Sequence, residues 1–163
     1  MWIDLPMLWI GLLNGLGIPA AHLGVSWIFT RMPLAWFHPS WFPFAAFPGE
    51  TRGLYDRLFR VKSWKGAIPD AGPWFGGFAK KRLRSSDREF TERFVAETCR
   101  SEAAHWVQCL VIIGFVVWTP MPWAWVILAY APLSNLPCIV LQRQNRLRLA
   151  GILRRLEGDK ASS

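Results

Sequence analysis

The chain has 163 residues, a formal charge of +8 and 52% hydrophobic residues, with 11 tryptophans. Its apolar residues form long uninterrupted blocks, and a helix needs about 20 such residues to cross a bilayer, so the composition indicates a membrane protein rather than a soluble domain. The basic residues flank these blocks instead of forming a separate domain, which suits cytoplasmic loops and anionic lipid, and no nucleic-acid partner is expected.

The first predicted transmembrane segment covers residues 5–30, which form one apolar block. The block is longer than the core of a signal peptide, so we expect it to remain as a spanning helix. Pro19 lies inside it and predicts a kink. His22 also lies inside it, either as a hydrogen-bonded interior group or as a site residue.

Residues 33–48, the aromatic segment, are dense in Trp and Phe and contain four prolines, which exclude a long regular helix. The segment is too short to cross the bilayer, and tryptophan is enriched at membrane surfaces. We therefore expect it to lie in the interface with its rings at headgroup depth.

A basic cytoplasmic loop is predicted for residues 50–100. Apolar residues at helical spacing predict a surface helix over residues 55–65, and the Pro and Gly residues of positions 68–78 predict a loop. Lys80 and Lys81 belong to a basic cluster suited to phosphate groups or anionic lipid. A further helix is predicted from residue 87, running on into the second span.

A polar stretch directly precedes the second predicted span, residues 103–118. Thr98, Ser101, Glu102 and His105 recur three or four residues apart, so a helix places them on one face. Ionisable residues at membrane depth are costly and therefore mark candidate functional sites. The alternative is that these side chains lie solvated in the headgroup layer.

The third predicted span covers residues 123–141 and contains two prolines, Pro132 and Pro137, on either side of Asn135. This pattern predicts a locally broken helix that exposes backbone groups to a cavity. The alternative is that Asn135 makes one interhelical hydrogen bond. If the helix continues, Asn135, Gln142 and Arg146 share a face, because they are seven and four residues apart.

The positive charge predicts the orientation of this all-α, single-domain membrane protein, residues 1–163. The loop 50–100 and the tail 142–163 are basic, whereas the turn between the second and third spans is uncharged, so loop and tail are expected in the cytoplasm. Three spans then place the N-terminus outside and the C-terminus inside, in a multi-pass protein of the cell (cytoplasmic) membrane. The polar ends of the second and third spans meet at the cytoplasmic surface.

These converging residues predict a catalytic site. His105 is a candidate general base, with Glu102 orienting its imidazole and Asn135 donating a hydrogen bond to a developing oxyanion. No serine lies in a nucleophile-elbow motif, which favours direct transfer to an activated hydroxyl over a serine acyl-enzyme. The candidates for binding phosphates, an acyl carrier or lipid headgroups are Arg100, Lys80, Lys81, Arg143, Asn145 and Arg146.

Metal and cofactor chemistry has little support in the sequence. Three cysteines lack the spacing of a zinc site and are expected to be small buried thiols: Cys99, Cys109 and Cys138. Cys99 is an alternative nucleophile. A metal is the other use of Glu102 and His105, with only His22 and His38 as further histidine ligands. We expect no metal and no cofactor, with an acyl donor such as acyl-CoA as co-substrate.

Three blocks of sequence resemble one known family in order and spacing: 61–65 (VKSWK) with Pro69 and Asp70, 97–106 (ETCRSEAAHW), and 135–137 (NLP) followed by 142–149 (QRQNRLRL). They resemble the glycosyl-4,4'-diaponeurosporenoate acyltransferases of staphyloxanthin-type carotenoid biosynthesis, whose third block is close to N-x-P-x4-QRYNRPRL. Gln144 and Leu147 depart from the family's Tyr and Pro, which leaves the charge of this helix end unchanged.

The resemblance implies transfer of a fatty acyl group to a sugar hydroxyl of a glycosylated carotenoid. The sequence therefore predicts a membrane O-acyltransferase acting on such a glycoside or a similar lipid hydroxyl, with membrane lipid as its surroundings. The alternative is a non-catalytic transmembrane subunit of a larger pigment-binding or photosynthetic complex, because a fold does not fix its chemistry. In that case other membrane proteins are its partners.

Overall fold

The computed structural model describes residues 3–67 and 88–161, which are mainly helical and contain no strand. Three of their helices are long and apolar enough to cross a bilayer, which confirms the predicted fold class. The predicted loop 68–78, Lys80 and Lys81 lie outside the described residues.

The first spanning helix, α1 (Met7–Arg31), is apolar on all sides and buries only Ile10, as expected of a helix surrounded mainly by lipid. Pro19 lies inside the continuous helix. Gly17 faces the ring of Phe115, where an added Cβ would lie 2.8 Å from the ring atom Cε1. The missing side chain at Gly17 therefore lets this ring pack against α1.

The aromatic segment follows α1 without forming a long helix, as its prolines predict. The helix ends because Met32 is extended before Pro33. A 3-10 turn, Leu34–Trp36, and further turns then carry the chain to Gly49, which has a positive φ of 82°. The predicted position of the aromatic segment in the membrane interface stays a prediction.

Two short helices replace the single surface helix predicted for residues 55–65. Helix α2 (Arg52–Phe59) begins at Thr51, whose Oγ1 accepts a hydrogen bond from the Leu54 backbone N–H at 3.2 Å. Arg60 has a left-handed backbone with φ of 49°, which ends α2 and starts α3 (Val61–Trp64). The prediction of one helix is wrong because periodicity carries no sign of this turn.

The two remaining helices are longer than the predicted spans. Helix α4 (Arg88–Gly114) continues from its polar first part into the predicted second span without interruption, as predicted, and α5 (Trp123–Ala161) continues far beyond residue 141. The predicted break in α5 is wrong, since Pro132 and Pro137 both lie inside the helix. Neighbouring helices can support a proline-containing spanning helix, and α5 packs along α4 in the largest interhelical interface of the described residues.

Helix α4 is the centre of the packing and contacts both α5 and α1. Ile112, Ile127 and Ala131 form a buried cluster between α4 and α5, against which Ile18 of α1 packs. At the other end of the α4–α5 pair, Phe94 and Val95 of α4 are buried against Leu149. These apolar contacts hold α4 and α5 in register on both sides of the polar residues between them.

Candidate active site

Glu102 is a fully buried carboxylate at the point where α4 becomes apolar. Arg143 Nε donates to its Oε1 at 3.0 Å, and Arg146 Nη2 donates to its Oε2 at 2.5 Å. The two arginines are three residues apart and so share a face of α5. The structure thus brings together the polar stretch of α4 and the polar end of α5, which lie about 40 residues apart in sequence.

Arg143 extends this ion pair to the aromatic segment. Its Nη1 lies 3.1 Å from both carboxylate oxygens of Glu50, and its Nη2 donates to the Pro43 carbonyl at 2.5 Å. Its guanidinium also lies 5.8 Å from the centre of the Phe47 ring. We call Glu50, Glu102, Arg143 and Arg146 the ionic cluster, in which two negative and two positive side chains balance.

Tyr55 of α2 completes the outer edge of the ionic cluster. Its hydroxyl donates to Glu50 Oε1, and its side chain is buried. Burial, and then the hydrogen bond to Glu50, raises the pKa of Tyr55 well above its ordinary value of 10.0. The hydroxyl therefore stays protonated and available as a donor throughout the physiological range.

His105 lies one turn beyond Glu102 on α4 and pairs with Asn135 of α5. The Asn135 amide nitrogen donates to Ala131 O at 2.9 Å and to Ser134 Oγ at 3.1 Å, which makes Oδ1 the acceptor that faces His105. His105 Nδ1 lies 3.1 Å from this oxygen and must carry the hydrogen. In the neutral imidazole the lone pair is then on Nε2, which is the state that a general base requires.

The structure gives the predicted catalytic residues the following hydrogen-bond partners. Glu102 accepts hydrogen bonds from Arg143, Arg146 and Trp106, and His105 Nδ1 is hydrogen bonded to Asn135. Asn135 donates its amide hydrogens within α5 and presents Oδ1 to His105. The catalytic roles of Glu102, His105 and Asn135 stay predictions.

The predicted substrate-binding residues are placed in three ways. Arg100 is held by both carboxylate oxygens of Glu97, at 2.9 and 2.7 Å, and by the carbonyls of Thr30 and Met32, so it fastens the end of α1 to α4. Arg143 and Arg146 belong to the ionic cluster. Asn145, which lies between these two arginines in the sequence, is half-buried. Lys80 and Lys81 lie outside the described residues.

Sequence reasoning missed Glu50, Tyr55 and Gln108. Glu50 meets Arg143 across 93 residues of sequence, and no local spacing signals such a contact. Tyr55 joins the site through its hydrogen bond to Glu50, five residues before it. Gln108 is buried, and its Oε1 lies 3.3 Å from His22 Nδ1, so the half-buried His22 is hydrogen bonded within the protein. Gln108 could have been found from the sequence, because it is a polar residue inside an apolar run, three positions after His105.

The described residues contain no group of three or more His, Cys, Asp and Glu side chains placed to hold a metal ion. Cys99 is fully buried, and its sulphur lies 3.6 Å from Arg146 Nη1. It packs with Phe37 and Phe44 of the aromatic segment and behaves as a small core residue.

Comparison with known proteins identifies the family. The sequence model of the glycosyl-4,4'-diaponeurosporenoate acyltransferases matches residues 33–155. The chain belongs to this family. The matched range contains the whole ionic cluster together with His105 and Asn135, so the site lies in the part of the chain that defines the family.

Curated members of the glycosyl-4,4'-diaponeurosporenoate acyltransferase family match most of the chain. The proteins of that name from Staphylococcus aureus strains USA300 and bovine RF122 are 30% identical over 138 residues, which is 83% of either chain. The protein from strain N315 is 29% identical over the same length. No solved structure matches the chain. Family membership makes the chain an acyltransferase of carotenoid biosynthesis, with three helices that suit a membrane.

Proposed function

We propose that the protein transfers a fatty acyl group from a thioester donor, such as acyl-CoA, to a hydroxyl of a glycosylated carotenoid or a similar lipid. The observation that carries this proposal is the pair formed by His105 and Asn135, in which the fixed amide leaves the lone pair of the imidazole on Nε2. The names of the relatives supply the acceptor class.

In the proposed reaction, His105 Nε2 takes the proton of the acceptor hydroxyl as its oxygen attacks the thioester carbonyl. Asn135 Oδ1 accepts from Nδ1–H and stabilises the imidazolium that forms. The tetrahedral intermediate then breaks its carbon–sulphur bond, and the imidazolium returns the proton to the leaving thiolate. The products are the acylated glycoside and a free thiol, and the enzyme is unchanged.

The ionic cluster supports this chemistry by fixing two helices. Arg143 and Arg146 of α5 both bind Glu102 of α4, one turn before His105. This contact sets the register of α5 against α4 and hence the distance between His105 and Asn135. Breaking it would separate the base from the group that orients it.

Binding of the acyl carrier or lipid headgroup falls to the remaining predicted residues. Asn145 and the basic residues Lys80 and Lys81 are the candidates for direct contact with phosphates. Arg100, Arg143 and Arg146 are already held by carboxylates, so they act chiefly by positioning the protein groups around the substrate.

The proposed topology gives each substrate its own route to the site. The protein lies in the cytoplasmic membrane, with its N-terminus outside and its C-terminus in the cytoplasm. The ionic cluster then faces the cytoplasm. A soluble acyl donor then approaches from the cytoplasm, and the lipid acceptor approaches through the bilayer.

Mass spectrometry of cellular lipids tests the function. Cells that make the wild-type chain should contain an acylated carotenoid glycoside, and cells with His105→Ala at equal protein level should accumulate the unacylated form. His38→Ala is the matched control, because His38 is exposed in the aromatic segment, and it should leave the profile unchanged. An unchanged profile with His105→Ala, in a protein that purifies within a larger complex, would instead support the subunit alternative.

A further inference from the structure

A second polar cluster lies about one helical turn beyond His105 and Asn135, toward the apolar part of α4 and α5. Gln108 follows His105 by three residues on α4, so the two share a face of that helix. Tyr130 precedes Ser134 by four residues on α5, and Ser134 is hydrogen bonded to Asn135. One turn is about 5 Å along a helix, so Gln108 and Tyr130 lie about that far beyond His105 and Asn135 along the α4–α5 pair, toward its apolar part.

His22 joins this cluster from α1. The Gln108 amide nitrogen donates to His22 O at 3.0 Å and to Ser26 Oγ at 2.9 Å, so Gln108 Oε1 accepts from His22 Nδ1 at 3.3 Å. These three side chains fasten α1 to α4, which is a common use of polar groups in membranes. The lone pair of His22 is then on Nε2, 3.4 Å from the Tyr130 hydroxyl.

Tyr130 is not needed for that fastening. Its distance of 3.4 Å from His22 exceeds the roughly 2.5–3.0 Å of ordinary hydroxyl hydrogen bonds. Its side chain is 41% exposed, and the His22 ring holds it in an edge-on contact with ring centres 6.1 Å apart. The hydroxyl is thus a positioned donor, weakly engaged at membrane depth, where a stronger acceptor would be preferred.

We propose that Tyr130 and His22 form a subsite for the ester carbonyl that joins the acceptor's sugar to its apolar chain. The proposal rests on the proposed function. With the reacting sugar hydroxyl at His105, the link to the apolar chain lies on the deeper side of the sugar, where Tyr130 is. A glycosyl ester of a carotenoid acid carries a carbonyl at that link. Tyr130 O–H donates to this carbonyl, and His22 fixes the tyrosine ring.

The test compares two acceptors with the purified full-length enzyme in nanodiscs. One acceptor is a glucosyl ester of a long-chain polyenoic acid, and the other is an alkyl glucoside of matched length, which lacks the carbonyl. Tyr130→Phe removes one hydrogen bond and should raise KM for the ester about three- to tenfold, with little change in kcat. It should leave KM for the alkyl glucoside unchanged.

Trp125→Phe is the matched control, since Trp125 is an exposed aromatic residue on the same helix, and it should change neither KM. An equal KM increase for both acceptors with Tyr130→Phe would show a structural role and overturn the subsite, as would no increase for either. If the wild-type enzyme acylates neither acceptor, the proposed function itself fails. That outcome differs from the one that overturns only the subsite, in which the wild type is active and Tyr130→Phe changes KM equally for both acceptors.

Discussion

The pairing of Glu102 with Arg146 is the most consequential contact at the scale of single residues. Glu102 is fully buried, and a buried charge is tolerated only while it is paired. Both residues could be found from the sequence, because three- and four-residue spacing placed them on polar helix faces that meet at one depth. Glu50 could not, since its contact with Arg143 depends on how the aromatic segment folds back over the helices.

Replacing Arg146 by Met should destabilise the protein by about 3–5 kcal/mol, because it leaves part of the Glu102 charge buried without its partner. The free energy of unfolding in mixed detergent micelles measures this loss. Arg148→Met removes an exposed arginine from the same helix and should stay within about 0.5 kcal/mol of the wild type. Equal losses for the two variants would contradict a buried, paired role for Arg146.

At the scale of elements, the sequence pattern predicts which segments form the spanning helices, but not where helices break or continue. The length of the apolar blocks predicted α1, α4 and α5. The prolines of α5 wrongly predicted a break, because packing against α4 keeps the helix continuous. The same limit applies to α2 and α3, which the left-handed residue Arg60 separates without any periodic signal.

The junction between α2 and the aromatic segment should weaken at high pH. Because the pKa of Tyr55 is raised in the folded state, Tyr55 makes its full contribution to the stability of the fold below pH 10.0. That stability is lost progressively as the pH rises above 10.0. The thermal midpoint of the wild type should therefore fall more steeply above about pH 10 than that of Tyr55→Phe. Parallel curves for the two proteins would show that Tyr55 keeps no raised pKa in the folded state.

At the scale of the whole molecule, an odd number of spans places the termini on opposite sides of the membrane. The described residues contain three helices long and apolar enough to span, and the basic residues of the loop and tail predict the direction of insertion. The polar residues of α4 and α5 lie toward the same end of the helix pair, so the direction of insertion also decides which compartment supplies the acyl donor.

Reporter fusions test this orientation. Alkaline phosphatase, which is active only outside the cytoplasm, should be active when fused to the N-terminus and inactive when fused to the C-terminus. A C-terminal fluorescent protein should fold and fluoresce, because the tail is predicted in the cytoplasm. The reverse pattern would place the ionic cluster outside and remove the cytoplasmic route for the acyl donor.

Chemical rescue of purified His105→Ala tests most directly the claim that His105 is the base of an acyl transfer. General-base catalysis contributes about 10²–10⁴-fold, so kcat should fall by that factor, and added imidazole should restore part of it with a pH dependence that follows free imidazole. Rescue would show that the missing group is a base at the reacting hydroxyl. A variant that keeps wild-type kcat, or a folded inactive variant that imidazole does not rescue, would contradict the account.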